Sequence, residues 1–258
     1  MSTPDVVYTE RTGGVRTIVL NRPQKLNALT HEMIGRVRDS LAEAQSDPSV
    51  RVILLRGEGR AFSAGDDLSD LSAAAAEVEK QSDLVGILQD VTRQILAGPK
   101  PVIGLVQGWV IGAAFSWALN CDLLICAQST IAFFPELRWG VSPTGAATVL
   151  APKILGVAAA HSAFQELRRF TADELLALGA ANRVVADDQA LSAAMECALE
   201  LASRPEAALQ GLKHLVNRSL VDNLDDVLAR EAQLAVTLAA GHAVSGRINA
   251  FQSVSPQS

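Results

Sequence analysis

The sequence predicts an α/β fold with largely parallel strands over residues 1–190, followed by a helical region over residues 191–258. In the first part, short β-branched runs bounded by Gly and Pro alternate with stretches of helical periodicity. After about Asp188 the strand-like runs stop and helical stretches follow one another. The chain has 258 residues, of which 49% are hydrophobic and 4% aromatic, so one large core of small side chains is expected.

The first predicted unit is a strand, a helix and a second strand. Residues 15–20 and 50–56 are the β-branched strands. Between them, Thr30 can cap a helix. The apolar residues of this helix fall at helical spacing: Ile34, Val37, Leu41 and Ala44. Asp47-Pro48 ends the helix, because a residue before proline is biased away from helical geometry.

The alternation continues with variations. A helix is predicted at about residues 112–120, and further strands are predicted at residues 101–106, 122–127, 130–134 and 182–186. Residues 71–80 follow a glycine-containing turn and predict either a helix or a mobile loop. The C-terminal helices are predicted at residues 191–203, 205–220 and 224–240.

Composition excludes several classes of function. The net charge of -6 and the lack of a basic stripe argue against nucleic acid binding. No stretch of about 18 apolar residues occurs, and residues 1–10 carry no secretory pattern, so neither a membrane span nor secretion is expected. Cys121, Cys126 and Cys197 have no metal-ligand spacing. We therefore expect a cytoplasmic protein without a metal.

Two junctions between a strand and a helix are candidates for a binding site. The first spans residues 60–68 and contains Gly65; the second spans residues 107–116 and contains Gly108 and Gly112. Ser116 is the only polar side chain between Trp109 and Leu119, so the helix that starts near Gly112 should be buried. The free N–H groups of a buried helix start can face a developing oxyanion. A helix that simply caps itself in the core is the alternative.

The third candidate is Glu136, which lies among Phe133, Phe134 and Trp139. Apolar surroundings disfavour a charged carboxylate, so the pKa of Glu136 should rise toward the range useful for proton transfer. Alternatively, Glu136 points to solvent or pairs with Arg138.

Taken together, these stretches resemble the enoyl-CoA hydratase/isomerase (crotonase) family. The resemblance runs in family order from about residue 15 to residue 186. It is carried by residues 21–29 (NRPQKLNAL), 61–68 (AFSAGDDL), 100–103 (KPVI) with Gly108 and Gly112, Cys121-Asp122, Pro135-Glu136 with Gly140, 170–174 (FTADE) and 182–185 (NRVV).

The resemblance implies a spiral of repeated ββα units, followed by C-terminal helices that assemble a homotrimer or a homohexamer. It implies an acyl-CoA substrate, no cofactor beyond the coenzyme A of that substrate, and a thioester enolate held by the backbone N–H groups of Asp66 and Ala113. Substrate and coenzyme A contacts are implied at Arg22, Lys25, Leu26, Ala28, Ala64, Leu68 and Gly112.

One departure from the family decides how far the chemistry can be predicted. Typical hydratases use two glutamates; the second matches Glu136, but Ser116 stands where the first should be. Serine can hold a water by hydrogen bonds, yet unassisted it is neither acid nor base at neutral pH. We therefore predict Glu136 as the single acid/base, with Ser116 orienting a water or the substrate. A second departure is Ala113, where the family usually has Gly.

The alternatives remain open at this level. One carboxylate suffices for double-bond isomerisation, and enoyl-CoA hydration with Glu136 alone is a second reading. A feruloyl-CoA-type hydratase-lyase resembles the chain at Phe115-Ser116 and Trp139-Gly140, but Tyr8 is the only tyrosine available. A non-catalytic acyl-CoA-binding relative and a serine hydrolase using Ser116 are further readings. Five aromatic residues favour an apolar or aromatic acyl group, although core packing explains them equally well: Trp109, Trp117, Phe133, Phe134 and Trp139.

Overall fold

The computed structural model describes residues 5–75, 78–239, 244, 246–248 and 250. Its strands are β1 (Val7–Thr12), β2 (Val15–Leu20), β3 (Val52–Gly57), β4 (Val102–Val106), β5 (Trp109–Ile111), β6 (Leu123–Ala127), β7 (Ile131–Phe133), β8 (Phe170–Thr171) and β9 (Arg183–Val185). Its helices are α1 (His31–Ser46), α2 (Leu68–Ala75), α3 (Val78–Leu96), α4 (Ala113–Asn120), α5 (Glu136–Trp139), α6 (Ala147–Leu155), α7 (Val157–Gln165), α8 (Ala172–Ala177), α9 (Ala190–Ala202), α10 (Glu206–Val221) and α11 (Leu224–Ala239).

Two sheets form the core, as expected for a spiral. The main sheet has the order β1-β2-β3-β4-β6-β9, and the smaller sheet has the order β5-β7-β8. β1 and β2 form an antiparallel hairpin, whereas β2, β3, β4, β6 and β9 pair in parallel. The chain passes from β4 to β5 and then α4, and again from β6 to β7 and then α5. Each pass places one strand in each sheet, so the predicted ββα repeat is confirmed.

Most predicted elements are confirmed to within two residues. Thr30 caps α1 by accepting a hydrogen bond from the Met33 N–H, and Asp47 ends that helix. Residues 71–75 and 78–80 are helical, while residues 76–77 lie outside the described part of the chain. The prediction missed β1, β5 and β8 as well as most of α3 and all of α5 to α8. β1 is mostly exposed and polar, and α5 has only four residues. Neither element therefore shows the periodic spacing of apolar residues from which strands and helices are predicted.

Helices cover both faces of the main sheet. One face packs against α1, α3 and α4 in the larger hydrophobic cluster, and the other packs against the buried side of α9. The side chains on the α9 face come from β2, β3, β4 and β6. The first helix of the predicted C-terminal region therefore belongs to the core. Within the described residues, no helix combines the length and the apolar character needed to cross a membrane.

A buried ion pair ties α10 to the main sheet. Lys213 Nζ lies 2.8 Å from Asp122 Oδ2 and also donates to the carbonyl oxygens of Ile95 and Lys100. Asp122 in turn accepts hydrogen bonds from the Val102 N–H and from Asn217 Nδ2. Asp122, which the family resemblance includes, therefore has a structural role as the anchor of the C-terminal helices.

Candidate functional site

The loop after β3 and strand β5 are held side by side. The Ser63 N–H donates to the Trp109 carbonyl at 3.0 Å, and the Ile111 N–H donates to the Ser63 carbonyl at 3.1 Å. Gly65 follows with a φ of +78°, and a Cβ at this position would lie 2.6 Å from the carbonyl oxygen of Ile111. Only glycine fits this close approach. The two junctions predicted from the sequence therefore meet in space.

The second junction turns sharply at Gly112. This residue has a φ of +59°, and its N–H donates to the Phe133 carbonyl at 3.0 Å. α4 begins immediately afterwards at Ala113, and all of its residues are buried. A Cβ at Gly112 would lie 2.9 Å from Glu136 Oε1. Gly112 thus lets the backbone turn while the Glu136 carboxylate rests against it.

We expect Gly112→Ala to lower the free energy of unfolding by about 1–3 kcal/mol, because alanine would hold a sparsely populated backbone conformation. The methyl group would also displace the Glu136 carboxylate, so kcat should fall more than KM rises. Urea denaturation and steady-state kinetics measure both effects. Gly211→Ala is the matched control, because a Cβ there meets nothing within 4 Å. An active Gly112→Ala enzyme of wild-type stability would contradict the assigned geometry.

The predicted donors are the backbone N–H groups of Asp66 and Ala113, two residues that line one small space. Neither donates a hydrogen bond to any residue that the structure describes. Both residues line a space of about 30 Å³, here called the inner cavity, together with Glu136. The inner cavity is lined by Asp66, Leu71, Gln81, Leu84, Val85, Leu88, Ala113, Glu136, Val141, Ser142, Thr144 and Ala235. Two residues with unpaired backbone N–H groups and a buried glutamate therefore line the same space.

Glu136 is the first residue of α5, directly after β7 and Pro135. Its side chain is buried, and it forms no ion pair with Arg138, which is exposed. Burial raises the pKa of Glu136 to about 8, and the nearby charge of Asp66 contributes in the same direction. The Oε2 atom has no hydrogen-bond partner among the described residues. The predicted rise in pKa is confirmed, and the solvent-exposed alternative is wrong.

A wider space, here called the outer cleft, leads to Gly112 and Glu136 and has a volume of about 940 Å³. Seven predicted substrate contacts line it: Arg22, Lys25, Leu26, Ala28, Ala64, Leu68 and Gly112. Arg22 is held by an ion pair with Asp67 at 3.2 Å and by a hydrogen bond to the Ala28 carbonyl. Buried Asn27 fixes the same loop through the Arg22 N–H and the carbonyls of Glu58 and Ala61. The structure therefore brings all seven predicted substrate contacts to the outer cleft.

Two cations of the outer cleft were missed by sequence reasoning. Arg138 and Arg169 also line it, and both are exposed. The Arg169 guanidinium lies 5.1 Å from the centre of the Phe133 ring and 5.6 Å from that of Trp109. These cation–π contacts orient Arg169 along the wall. No sequence signal marked Arg169, because the loop before β8 has no motif of its own, and Arg138 was considered only as a partner of Glu136.

Ser116 is placed away from both spaces. It is 1% exposed and lines neither the outer cleft nor the inner cavity within the described residues. A Cβ at Gly145 would lie 3.3 Å from Ser116 Cβ and 3.1 Å from Thr92 Oγ1, so Ser116 faces this turn. Its predicted role in orienting a water has no geometric support and stays a prediction.

Aromatic residues divide between the site and the core. Trp109, Phe133 and Trp139 line the outer cleft, with Trp109 and Phe133 in edge-to-face contact at 6.2 Å. Phe134 and Trp117 belong to the main hydrophobic cluster instead. Core packing therefore accounts for Phe134 and Trp117, and the preference for an apolar or aromatic acyl group stays a prediction.

A serine hydrolase arrangement is absent from the described part of the chain. His31, His161 and His214 line neither the outer cleft nor the inner cavity, and His242 lies outside the described residues. Ser116 Oγ has no hydrogen-bond partner there. A nucleophilic serine needs an adjacent base, which these residues do not supply.

Comparisons with known proteins identify the family of the chain. Residues 10–252 match the family model described as enoyl-CoA hydratase/isomerase. The chain is 30% identical over 226 residues to a probable peroxisomal enoyl-CoA hydratase of Arabidopsis thaliana, with 88% of this chain and 83% of that protein covered. It is also 30% identical over 220 residues to the 1,2-epoxyphenylacetyl-CoA isomerase of Escherichia coli K12, with 84% of each covered.

The fold comparison leads to the same family. The crystal structure of an enoyl-CoA hydratase from Mycobacterium avium subsp. paratuberculosis K-10 superimposes with a TM-score of 0.88 at 26% identity, covering 96% of this chain and 100% of that chain. Both the sequence match and the two-sheet spiral extend over nearly the whole chain. The chain therefore belongs to the enoyl-CoA hydratase/isomerase family and is an enzyme of hydratase/isomerase type that acts on acyl-CoA thioesters.

Proposed function

We propose that this enzyme takes an enoyl-CoA through a thioester enolate, held by the N–H groups of Asp66 and Ala113, with Glu136 moving the proton. One observation carries the proposal: both unpaired donors and the buried carboxylate line the inner cavity. Backbone donors placed where charge develops stabilise the enolate oxygen more than the ground-state carbonyl. That difference lowers the barrier to enolate formation.

Glu136 suffices for moving a double bond into conjugation. Its ionised carboxylate removes a proton from Cα of a β,γ-enoyl-CoA, and the electron pair moves to the thioester oxygen. The same group then delivers the proton to Cγ, which takes it with the Cβ–Cγ π pair, while the enolate oxygen re-forms the carbonyl and the Cα–Cβ double bond forms. A pKa of about 8 keeps both protonation states within reach near neutral pH. Hydration is the second reaction that the same enolate supports.

The outer cleft supplies the features needed to hold coenzyme A. Four cationic side chains line it, and phosphate groups pair with such charges: Arg22, Lys25, Arg138 and Arg169. Apolar residues that line the same cleft favour an apolar acyl chain, among them Leu68, Leu71 and Val141. The thioester would then lie where the outer cleft reaches Gly112 and Glu136.

A panel of acyl-CoA esters tests the proposal. Purified enzyme is incubated with α,β-enoyl-CoA and β,γ-enoyl-CoA esters of short and medium length, and hydration and isomerisation are followed separately. We expect turnover of at least one class, with saturated acyl-CoA esters binding as competitive inhibitors. Failure of every ester to bind would contradict the assigned site. Binding without turnover would favour the non-catalytic acyl-CoA-binding alternative.

The feruloyl-CoA-type hydratase-lyase remains the weaker reading. Such enzymes need tyrosines at the phenol. Tyr8 lies on β1, donates a hydrogen bond to Glu58, and lines neither the outer cleft nor the inner cavity. Feruloyl-CoA in the same panel tests the hydratase-lyase alternative, because carbon–carbon cleavage would release an aldehyde.

We further propose that the enzyme is a homotrimer or a homohexamer in the cytoplasm. Three large apolar residues form an exposed stripe at helical spacing on α10: Leu212, Leu215 and Val216. Exposed apolar patches commonly mark interfaces. Other relatives are named as peroxisomal or mitochondrial, so the cytoplasmic location depends on the sequence prediction alone.

Replacing Leu212 and Leu215 together by Glu should dissociate the assembly, because charges would be buried at the contact. Light scattering should give three or six times the chain mass of 27.2 kDa for the wild type and the mass of one chain for the variant. Val157→Glu is the control, since Val157 is 63% exposed on α7, outside this stripe. A monomeric wild-type enzyme would contradict the assembly.

A further inference from the structure

Four residues that line the inner cavity each carry a buried side-chain oxygen that lacks a hydrogen-bond partner. These oxygens are Asp66 Oδ1, Gln81 Oε1, Glu136 Oε2 and Ser142 Oγ, and each atom is out of contact with solvent. No hydrogen bond among the described residues satisfies any of them. Buried polar atoms are almost always paired, so their convergence on one space indicates a polar occupant.

The size of the inner cavity fits one water. Its volume of about 30 Å³ exceeds the minimum that a water requires, roughly 10–15 Å³ by the same kind of measure. A stable site for a water also needs two to four polar partners. The four unpaired oxygens supply that number.

Asp66 contributes to this cavity twice. The loop is fixed by hydrogen bonds from the Leu29 N–H to the Gly65 carbonyl and from the Asp67 N–H to the Leu29 carbonyl. The Asp66 N–H donates no hydrogen bond among the described residues, and Asp66 lines the inner cavity. The Asp66 carboxylate takes part in no ion pair among the described residues, whereas the adjacent Asp67 pairs with Arg22. Asp66 therefore brings a second carboxylate, with a buried and unpaired Oδ1, to the lining that it shares with Glu136.

We propose that the side chain of Asp66 is a second catalytic proton-transfer group, which together with Glu136 holds a water for enoyl-CoA hydration. The inference rests on the proposed function, which assigned only the backbone N–H of Asp66. It places the second carboxylate on the loop after β3, whereas position 116 on α4 carries a serine that lines neither space.

The electrostatics separate the two carboxylates into a base and an acid. Burial raises the pKa of Asp66 to about 6 and that of Glu136 to about 8. Near pH 7, Asp66 is therefore mostly ionised and Glu136 mostly protonated. Two carboxyl groups with separated pKa values in one site commonly divide the acid and base roles.

The hydration step follows from this division. Asp66 accepts a proton from the water as the water oxygen bonds to Cβ of the α,β-enoyl thioester. The π pair of the Cα–Cβ bond moves to the thioester oxygen, where the N–H groups of Asp66 and Ala113 stabilise it. As the enolate collapses, Glu136 delivers its proton to Cα. Asp66 then releases its proton to solvent, and Glu136 takes up a proton from solvent.

Asp66→Asn and Asp66→Ala test the proposal, since both keep the backbone N–H. We expect each to lower kcat for hydration of crotonyl-CoA by about 10²-fold or more, and to lower isomerisation of a β,γ-enoyl-CoA by a much smaller factor. The acidic limb of the hydration pH profile, near pH 6, should disappear. Melting temperatures should not fall, because both variants remove an unpaired buried carboxylate. Asp83→Asn, an exposed acid on α3, is the matched control.

The outcomes separate this inference from the proposed function. Hydration by both variants at the wild-type rate, with the acidic limb retained, would overturn the role of Asp66 and leave the enolate chemistry intact. A wild-type enzyme that isomerises but does not hydrate would also overturn it. A wild-type enzyme that turns over no enoyl-CoA would overturn both. Parallel loss of hydration and isomerisation in both variants would indicate a structural role and likewise overturn the proposal.

Discussion

Glu136→Gln is expected to lower kcat/KM for double-bond isomerisation by about 10²–10⁴-fold. Glutamine keeps the size and hydrogen-bonding capacity of the side chain but can neither accept nor return a proton. Binding of a saturated acyl-CoA should change little, because the outer cleft and both backbone donors remain. Steady-state turnover of the β,γ-enoyl-CoA and competition by a saturated acyl-CoA separate the effect on catalysis from the effect on binding.

The pH profile of the wild-type enzyme provides a second readout. Isomerisation needs the ionised carboxylate, so kcat/KM should rise with pH and level off above about 8. The Gln variant should lack this limb. Turnover and a pH profile unchanged in Glu136→Gln would rule out the assigned proton transfer. Glu166→Gln, at an exposed position outside both spaces, controls for the loss of a carboxylate.

Stability should change in the opposite direction to activity. The folded-state pKa of Glu136 is raised from the ordinary 4.5 to about 8, so the folded enzyme binds this proton more tightly than the unfolded chain. Its stabilising contribution is fully present below pH 4.5 and is lost as pH rises through 8. Glu136→Gln should therefore be at least as stable as the wild type at pH 8–9. That result would show that lost activity is not lost folding.

Lys213→Met is expected to lower the free energy of unfolding by about 3–5 kcal/mol. The substitution leaves the Asp122 carboxylate buried without its cation and leaves the carbonyls of Ile95 and Lys100 without a donor. Methionine fills a similar volume, so loss of packing contributes little. Urea denaturation followed by circular dichroism measures the change.

Two comparisons isolate the ion pair in that experiment. Lys153→Met removes an exposed lysine on α6 whose Nζ donates to a single carbonyl, and we expect a change below about 0.5 kcal/mol. Lys213→Met combined with Asp122→Asn should recover part of the loss, because no unpaired charge remains. Equal stability of Lys213→Met and the wild type would show that α10 is anchored by its apolar contacts alone.

The sequence by itself determined the α/β class, the strands β2 and β3, helix α1, the three C-terminal helices and the family. These features depend on local signals: the Thr30 cap, the β-branched strands and the glycines at 65 and 112 can each be read within a few residues. It also indicated that Glu136 would be buried, because its apolar neighbours are adjacent in the chain. The short α5 and the exposed β1 gave no such local signal.

Only the tertiary structure decided which groups meet. Asp66 and Glu136 lie on different elements, and the spiral places both at one inner cavity, whereas Ser116 on α4 faces the turn at Gly145. Hydrophobic periodicity reports which face of a helix or strand is buried, but not which distant loop lies opposite that face. The family resemblance named the N–H groups of Asp66 and Ala113, and the local sequence indicated a buried Glu136. Neither could show that the side chain of Asp66 lines the same cavity as Glu136, because that depends on the long-range packing of two sheets.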